Sequence, residues 1–221
     1  ELKTMYQQNG YFKAKITTRT DIDSLNRIGV EINFDEGNVA LIQNFVINGN
    51  KAFEDDELKD LFEIGEPDFF VINYFSEKDK FNSTLLSAGI EKIKKIYSDN
   101  GYLDADVKVK VSRISKESDK LDINLSIKEG ELFRVNKINL LGDLKNYPSD
   151  FFKDFISLKK GDPLKQTEIV RYVKKINEVF ANDGYAFTQI KSTFTRVDGN
   201  HLDIDLFVNP DRRIYVNRIV I

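Results

Sequence analysis

The sequence contains no cysteine, one histidine, one methionine and four prolines among its 221 residues. The missing thiols exclude disulfides, thiolate chemistry and Cys-based zinc sites, and they leave the cellular compartment open. His201 follows Asp198-Gly199-Asn200 at the start of a predicted strand, with nothing to pair with; it reads as a solvated turn residue. No apolar run approaches the roughly 20 residues of a membrane-spanning helix. An excess of one charge is missing too. Lys and Arg number 33 against 36 Asp and Glu, for a net charge of −3 with both signs interspersed, whereas a nucleic-acid surface needs a basic stripe. No Ser/His/Asp set, phosphate-binding glycine loop or His-rich metal spacing occurs. A non-enzymatic chain without catalytic, metal or cofactor sites is expected. No signal peptide is visible, and the chain opens at Glu1 without a Met. It reads as a piece of a longer protein, so that lack says nothing about the parent.

What is present is sufficient to fold: 41% apolar and 31% charged residues, in a length suited to two or three small domains. One phrase organises the chain. Ile96-Tyr97-Ser98-Asp99-Asn100-Gly101-Tyr102 reads as a last helical turn, a glycine stop and an exit. Tyr6-Gln7-Gln8-Asn9-Gly10-Tyr11 precedes it and Phe180-Ala181-Asn182-Asp183-Gly184-Tyr185 follows it. In each copy an aromatic lies four residues before the glycine and a Tyr one after. That is the pattern of a Schellman helix end, where glycine takes the left-handed position. Glycines at 10, 101 and 184 lie too far apart for the roughly 20–50-residue periods of solenoids. They fit tandem small domains.

Residues 1–9 read as the end of a helix. Phe12, Ala14 and Ile16 alternate with Tyr11, Lys13 and Lys15 in a strand; after a turn at Asp21–Asn26, Ile28, Val30, Ile32 and Phe34 form a second strand closing at Glu36-Gly37. A full round follows. A strand over 41–48 ends at Gly49-Asn50, and Asp55 or Asp56 caps a short helix carrying Leu58, Leu61 and Phe62. An aromatic stretch, Phe69–Phe75, reads either as a loop tucked into the core or as an exposed partner patch. A helix runs from about Lys80 to Asn100, with Gly89 as a mild cost or a close-packing point. A strand over 102–111 places Leu103, Ala105, Val107, Val109 and Val111 on one face and Asp104, Asp106, Lys108 and Lys110 on the other. The return strand carries Leu121, Ile123, Leu125 and Ile127 and ends at Glu129-Gly130. The next round repeats this order: strand Phe133–Leu141, Gly142-Asp143, a short helix with Phe152, Phe155 and Leu158, a long helix with Ile169, Tyr172, Val173, Ile176 and Phe180, then two strands. The tail from Arg213 resembles the opening strand of another round.

The unit is therefore strand, helix, helix, strand, strand. Its direction of travel predicts an α+β fold in which the first and third strands pair in parallel and the second pairs antiparallel with the third. The third strand is then central, and both helices cover one face.

This order, with Gly49-Asn50 after the first strand, Tyr97…Gly101-Tyr102 before the second and Glu129-Gly130 after the third, resembles a POTRA (polypeptide-transport-associated) domain. The resemblance implies four segments. Residues 1–37 are the end of one domain, 38–130 and 131–210 are complete domains, and 211–221 start another. The longer middle unit resembles the third such domain of an outer-membrane assembly factor, which makes the others the second, fourth and fifth. Pro210-Asp211 departs from the pattern by standing where Glu-Gly is expected. The resemblance further implies a periplasmic arm that holds unfolded outer-membrane β-barrel proteins and docks accessory lipoproteins, while a C-terminal barrel anchors the parent in the membrane. A two-partner secretion or TamA-like transporter arm is the alternative.

The expected sites are made of backbone. In the deduced order the second strand is an edge, whose free N–H and C=O groups can accept an added strand. The candidate edge positions are Tyr102, Asp104, Asp106, Lys108 and Lys110 in one round, and Tyr185, Gln189 and Lys191 in the next. The candidate interdomain junctions are Glu36, Gly37, Glu129, Gly130, Pro210 and Asp211, and the helix stops are Gly10, Gly101 and Gly184.

Overall fold

A computed structural model describes residues 1–67, 78–115 and 118–215. The aromatic stretch Phe69–Phe75 and tail residues 216–221 lie outside them. The chain divides into two compact units, residues 1–94 with 106–129 and residues 95–105 with 130–221.

The first unit opens with α1 (Leu2–Gln8) and an antiparallel hairpin of β1 (Lys15–Ile22) and β2 (Ile28–Asp35). Asp23 shapes the hairpin turn, its Oδ1 accepting the Leu25 and Arg27 N–H groups at 2.9 Å. Then come β3 (Leu41–Asn48), α2 (Asp55–Lys59), α3 (Ser83–Asp99), β4 (Asp106–Arg113) and β5 (Lys120–Lys128). The last turn of α3 is counted with the second unit. The sheet order is β3-β5-β4, with β3 parallel and β4 antiparallel to β5, so the third strand of the round is central as expected. The reason is the side-chain period of two. Leu121, Ile123, Leu125 and Ile127 of β5 are all buried, and Ile42, Phe45 and Ile47 of β3 join them. Helical residues Leu58, Leu86, Ile90 and Ile93 are buried as well. Each such side chain contributes about 1.5–3 kcal/mol when removed from water. Gly89 is a close-packing point: a Cβ there would lie 2.0 Å from the Phe62 ring.

The second unit repeats the plan with β6 (Arg134–Gly142), a 3-10 helix (Ser149–Phe155), α4 (Gln166–Asn182), β7 (Gln189–Asp198) and β8 (His201–Asn209). Its sheet order is β6-β8-β7, with the same parallel and antiparallel pairings. Val135, Leu202, Ile204, Leu206 and Val208 pack with Phe152, Leu164, Ile169, Tyr172, Ile176 and Phe180 in one core. Both first strands carry a register irregularity at the same place, between Ile42 and Asn44 and between Val135 and Lys137.

The three helix ends are alike. Tyr11, Tyr102 and Tyr185 each donate their N–H across the glycine to the carbonyl five residues back, on Tyr6, Tyr97 and Phe180, at 2.9 Å. The glycine N–H groups reach the carbonyls of Gln7, Ser98 and Ala181. The paired rings meet edge to face, with centroids 5.8, 5.7 and 6.1 Å apart. Gly10, Gly101 and Gly184 have φ of 86°, 92° and 89°.

Several local expectations need correction. The first short helix, α2, ends at Lys59, before Leu61 and Phe62, and α3 starts at Ser83 and not near Lys80. The strand expected over 102–111 starts only at Asp106, because Tyr102–Ala105 form a turn in which the Ala105 N–H reaches the Tyr102 carbonyl at 3.3 Å. The strand expected at 12–16 likewise begins at Lys15 and runs on to Ile22. The N-cap of α2 is Glu54 and makes no side-chain cap, while Asp55 accepts from Asn50 Nδ2 at 2.7 Å. The short helix of the later round is a 3-10 turn that ends before Leu158.

Candidate functional site

Each three-stranded sheet has two outer strands, and they are treated differently. The start of β3 is plugged by its own chain. Ile42 N–H donates to the Asp79 carbonyl at 2.7 Å, Phe81 N–H donates to the Ala40 carbonyl at 2.9 Å, and Phe45 N–H reaches Glu66 Oε1 at 2.6 Å. The start of β6 is plugged in the same way. Val135 N–H donates to the Asp162 carbonyl at 2.9 Å, Gly161 N–H to Val135 at 2.7 Å, and Leu164 N–H to Phe133 at 3.0 Å. Isolated bridges Leu41–Lys80 and Arg134–Pro163 mark the two plugs. By contrast, among the described residues β4 and β7 pair only with the central strands, so their outer backbone groups remain available.

The expected edge residues fall unevenly on these strands. Asp106, Lys108 and Lys110 belong to β4, and Gln189 and Lys191 to β7. Tyr102, Asp104 and Tyr185 do not. Tyr102 and Tyr185 close the helix ends, and Asp104 lies in the turn against Gly130. Alternation alone could not separate that turn from a strand start, because both expose polar side chains. On β4, Val107 is buried, while Val109 and Val111 are 43% and 38% exposed on the helix-covered face. Beside the start of β7, a groove of about 550 Å³ is lined by Val170, Val173, Asn177 and Ala181 of α4 together with Tyr185 and Thr188. Among the described residues the buried Asn177 Oδ1 has no hydrogen-bond partner.

Sequence reasoning missed Arg113 and Arg196. They sit at matching registers, opposite Leu121 and Leu202, near the ends of the two open strands. The Arg113 guanidinium lies 5.3 Å from the centre of the Phe12 ring, and that of Arg196 lies 4.9 Å from Phe133. Both motifs, an Arg ending the second strand and a Phe near the round boundary, are visible in the sequence only once the register is known.

The junction residues form bonded corners. Ala40, Phe133 and Ile214 N–H groups donate to the carbonyls of Gly10, Gly101 and Gly184 at 2.9, 2.8 and 2.9 Å. Glu36 Oε1 accepts the Tyr6 hydroxyl at 2.8 Å, which raises the pKa of that tyrosine. Glu129 Oε1 accepts the Lys51 and Ala52 N–H groups at 2.6 and 2.8 Å. Gly37 and Gly130 have φ of 68° and 76°, and Asp211 takes the same left-handed region at 59° after the buried Pro210. Aspartate tolerates that region better than most residues, which accounts for the departure from Glu-Gly. Asp119 is held below the usual carboxylate range, chiefly by the Lys13 ammonium at 2.6 Å and then by Asn38. Asp143 is lowered by Lys145. Tyr147 is raised by donating to Asp183 at 2.6 Å.

His201 heads β8, paired with Asp198 across the turn. Among the described residues no group of His, Asp and Glu has the arrangement of a metal site. No described helix is long and apolar enough to cross a membrane, which says nothing about strands.

Two successive rounds of strand, helix, helix, strand, strand, each with a plugged first strand and, among the described residues, an open second strand, define a tandem α+β protein that presents backbone edges. The chain belongs to the POTRA family: the family model described as "Surface antigen variable number repeat" matches residues 40–130 and 133–211. It is similar to outer membrane protein assembly factor BamA of Neisseria meningitidis, 25% identical over 99% of this chain and 27% of that protein. BamA of Nitratidesulfovibrio vulgaris is 24% identical over 98% of this chain and 28% of that one. The chain thus spans about a quarter of the length of these curated relatives. Among solved structures, the POTRA3-5 segment of Haemophilus influenzae BamA superposes with a TM-score of 0.58 at 17% identity, over 92% of this chain and 75% of that one. BamA of Haemophilus ducreyi lacking POTRA domains 1–3 gives 0.56 at 20% identity, over 76% of this chain and 29% of that one. At such identities these two likenesses speak for the fold.

Proposed function

We propose that this chain is part of the periplasmic arm of an outer-membrane β-barrel assembly factor, and that β4 and β7 take up strands of unfolded outer-membrane proteins by β-augmentation. The observation that carries this reading is the asymmetry of the three-stranded sheets: their first strands are plugged at the start by the chain's own backbone and, on β3, by the Glu66 carboxylate, while among the described residues the second strands pair only with the central ones. An added strand would satisfy the free groups without requiring a particular client sequence. Residues 1–37, 38–130, 131–210 and 211–221 are taken as successive POTRA segments, with accessory lipoproteins as further partners. The named relatives that match almost the whole chain are assembly factors, which favours this reading over a secretion transporter.

A peptide from a β-barrel strand, N-methylated on both alternate sets of backbone amides, tests the reading. Methylation of both sets should abolish binding, whereas methylation of one set leaves the other edge free to pair and shuffling side chains within each face should matter less. Binding that survives methylation of both sets would refute edge pairing.

A further inference from the structure

Backbone pairing explains why a strand can dock on β4, but not which strand docks best. The two faces of β4 differ sharply in chemistry. Val109 and Val111 look toward the helix-covered face and stay partly exposed at the rim of the core. Lys108 and Lys110 look toward the open face. The Lys108 side chain is 81% exposed and only loosely paired, 3.7 Å from Asp106. Lys110 lies opposite the neutral Asn124, and among the described residues no carboxylate lies within ion-pair distance of it. Over residues 107–111 the edge therefore offers apolar and cationic positions in alternation.

We infer that the β4 edge selects an extended segment of two-residue period whose apolar side chains meet Val109 and Val111 and whose other face is acidic, meeting Lys108 and Lys110. The inference rests on the edge-pairing reading above. Directly opposed side chains on neighbouring strands lie about 4.5–5.5 Å apart between Cβ atoms, close enough for opposite charges to favour pairing and like charges to oppose it. The same two lysines discourage a second copy of β4, whose own lysines would stand among them, so one feature both blunts self-association and chooses the partner. The β7 edge lacks this code: Ser192 interrupts its helix-side row between Ile190 and Phe194, and Thr193 and Thr195 follow Lys191 on its open face.

The test uses four labelled nine-residue peptides: valine alternating with glutamate, with glutamine and with lysine, and a scramble of the glutamate peptide. Affinity is measured by fluorescence anisotropy, with the β4 amides followed by NMR. Each opposed charge pair at an exposed site is a modest term, so two of them predict about tenfold tighter binding of the glutamate peptide than the glutamine one, with the lysine peptide weaker still. The difference should shrink in about 0.5 M salt, where the Debye length falls to a few ångströms. The Lys108→Gln/Lys110→Gln variant should bind the glutamine peptide unchanged and lose the preference for glutamate. Equal binding of the three alternating peptides at β4 would overturn the acidic selectivity while leaving edge pairing intact. Equal binding of the scramble would overturn the alternating face. If no peptide perturbs the β4 amides, the inference and the reading beneath it both fail.

Discussion

Replacing Gly101 with alanine separates two demands that a helix stop makes on its glycine. The first is conformational. At φ 92° an L-residue sits in the left-handed region, at a cost of roughly 1–2 kcal/mol, partly offset by about 0.4–1 kcal/mol from a stiffer unfolded chain. The second is spatial. A Cβ on Gly101 would lie 2.7 Å from the Phe133 carbonyl oxygen and 2.8 Å from Leu132 Cδ1. The leucine can move. The carbonyl is held, because it accepts from Leu164 N–H at 3.0 Å while Phe133 N–H donates to the Gly101 carbonyl at 2.8 Å. Displacing that corner weakens at least one backbone hydrogen bond, worth about 1 kcal/mol. Gly101→Ala should therefore cost about 2–3 kcal/mol. Gly161 provides the control: its φ is 91°, and a Cβ there would meet nothing within 4 Å. Gly161→Ala should cost about 1 kcal/mol, from conformation alone. Urea denaturation followed by circular dichroism, at matched slopes, gives both values. Equal costs would refute the claim that the approach of the Phe133 carbonyl is what excludes a side chain at Gly101.

Gly49→Ala should be more damaging, about 3 kcal/mol or above, since its Cβ would fall 2.1 Å from the Ile127 carbonyl oxygen of the central strand; thermal melting checks this. Asp211→Gly should stabilise by about 0.5 kcal/mol by relieving a left-handed non-glycine residue, and Asp211→Val should destabilise by about 1–2 kcal/mol. Asn82→Ala should cost about 1 kcal/mol, because Asn82 Oδ1 accepts the Thr84 and Leu85 N–H groups at 2.9 and 3.0 Å and so caps α3. Acid should weaken the fold through Asp119 and Asp143. Their folded-state pKa values lie below the ordinary 3.8, so their contribution is present above that value and lost as pH falls through the folded values. Tyr6 and Tyr147 act at the other end: raised above 10.0, they contribute at lower pH and lose that contribution as pH rises through the folded values. Urea midpoints across pH should decline on both sides, and Asp119→Asn should flatten the acid limb.

The strand order was legible in the sequence because it follows from two coarse signals, a parallel crossover through helices and a hairpin. The unbroken alternation of Leu121, Ile123, Leu125 and Ile127 marked the central strand. The helix ends were legible because aromatic, glycine and tyrosine recur at fixed spacing. The plugs on β3 and β6 were not, since Asp79 and Asp162 contribute only carbonyl groups and any residue type could do the same. The start of β4 was missed for a related reason: the turn at Tyr102–Ala105 keeps the polar alternation of a strand while its N–H groups bond locally. The cap at Asn82 was recoverable, an Asn just before a helical run, but it was hidden behind the longer helix drawn from Lys80.

The central claim is that the open strands, and not the plugged ones, receive the client. Residue-resolved hydrogen exchange tests it most directly, with and without a peptide from a β-barrel strand of an outer-membrane protein. The account predicts slowed exchange in β4 and β7 on adding the peptide, with Ile42 and Val135 at the plugged edges unchanged. New protection at those plugged positions with none in β4 or β7, or protection confined to α3 and α4, would contradict it.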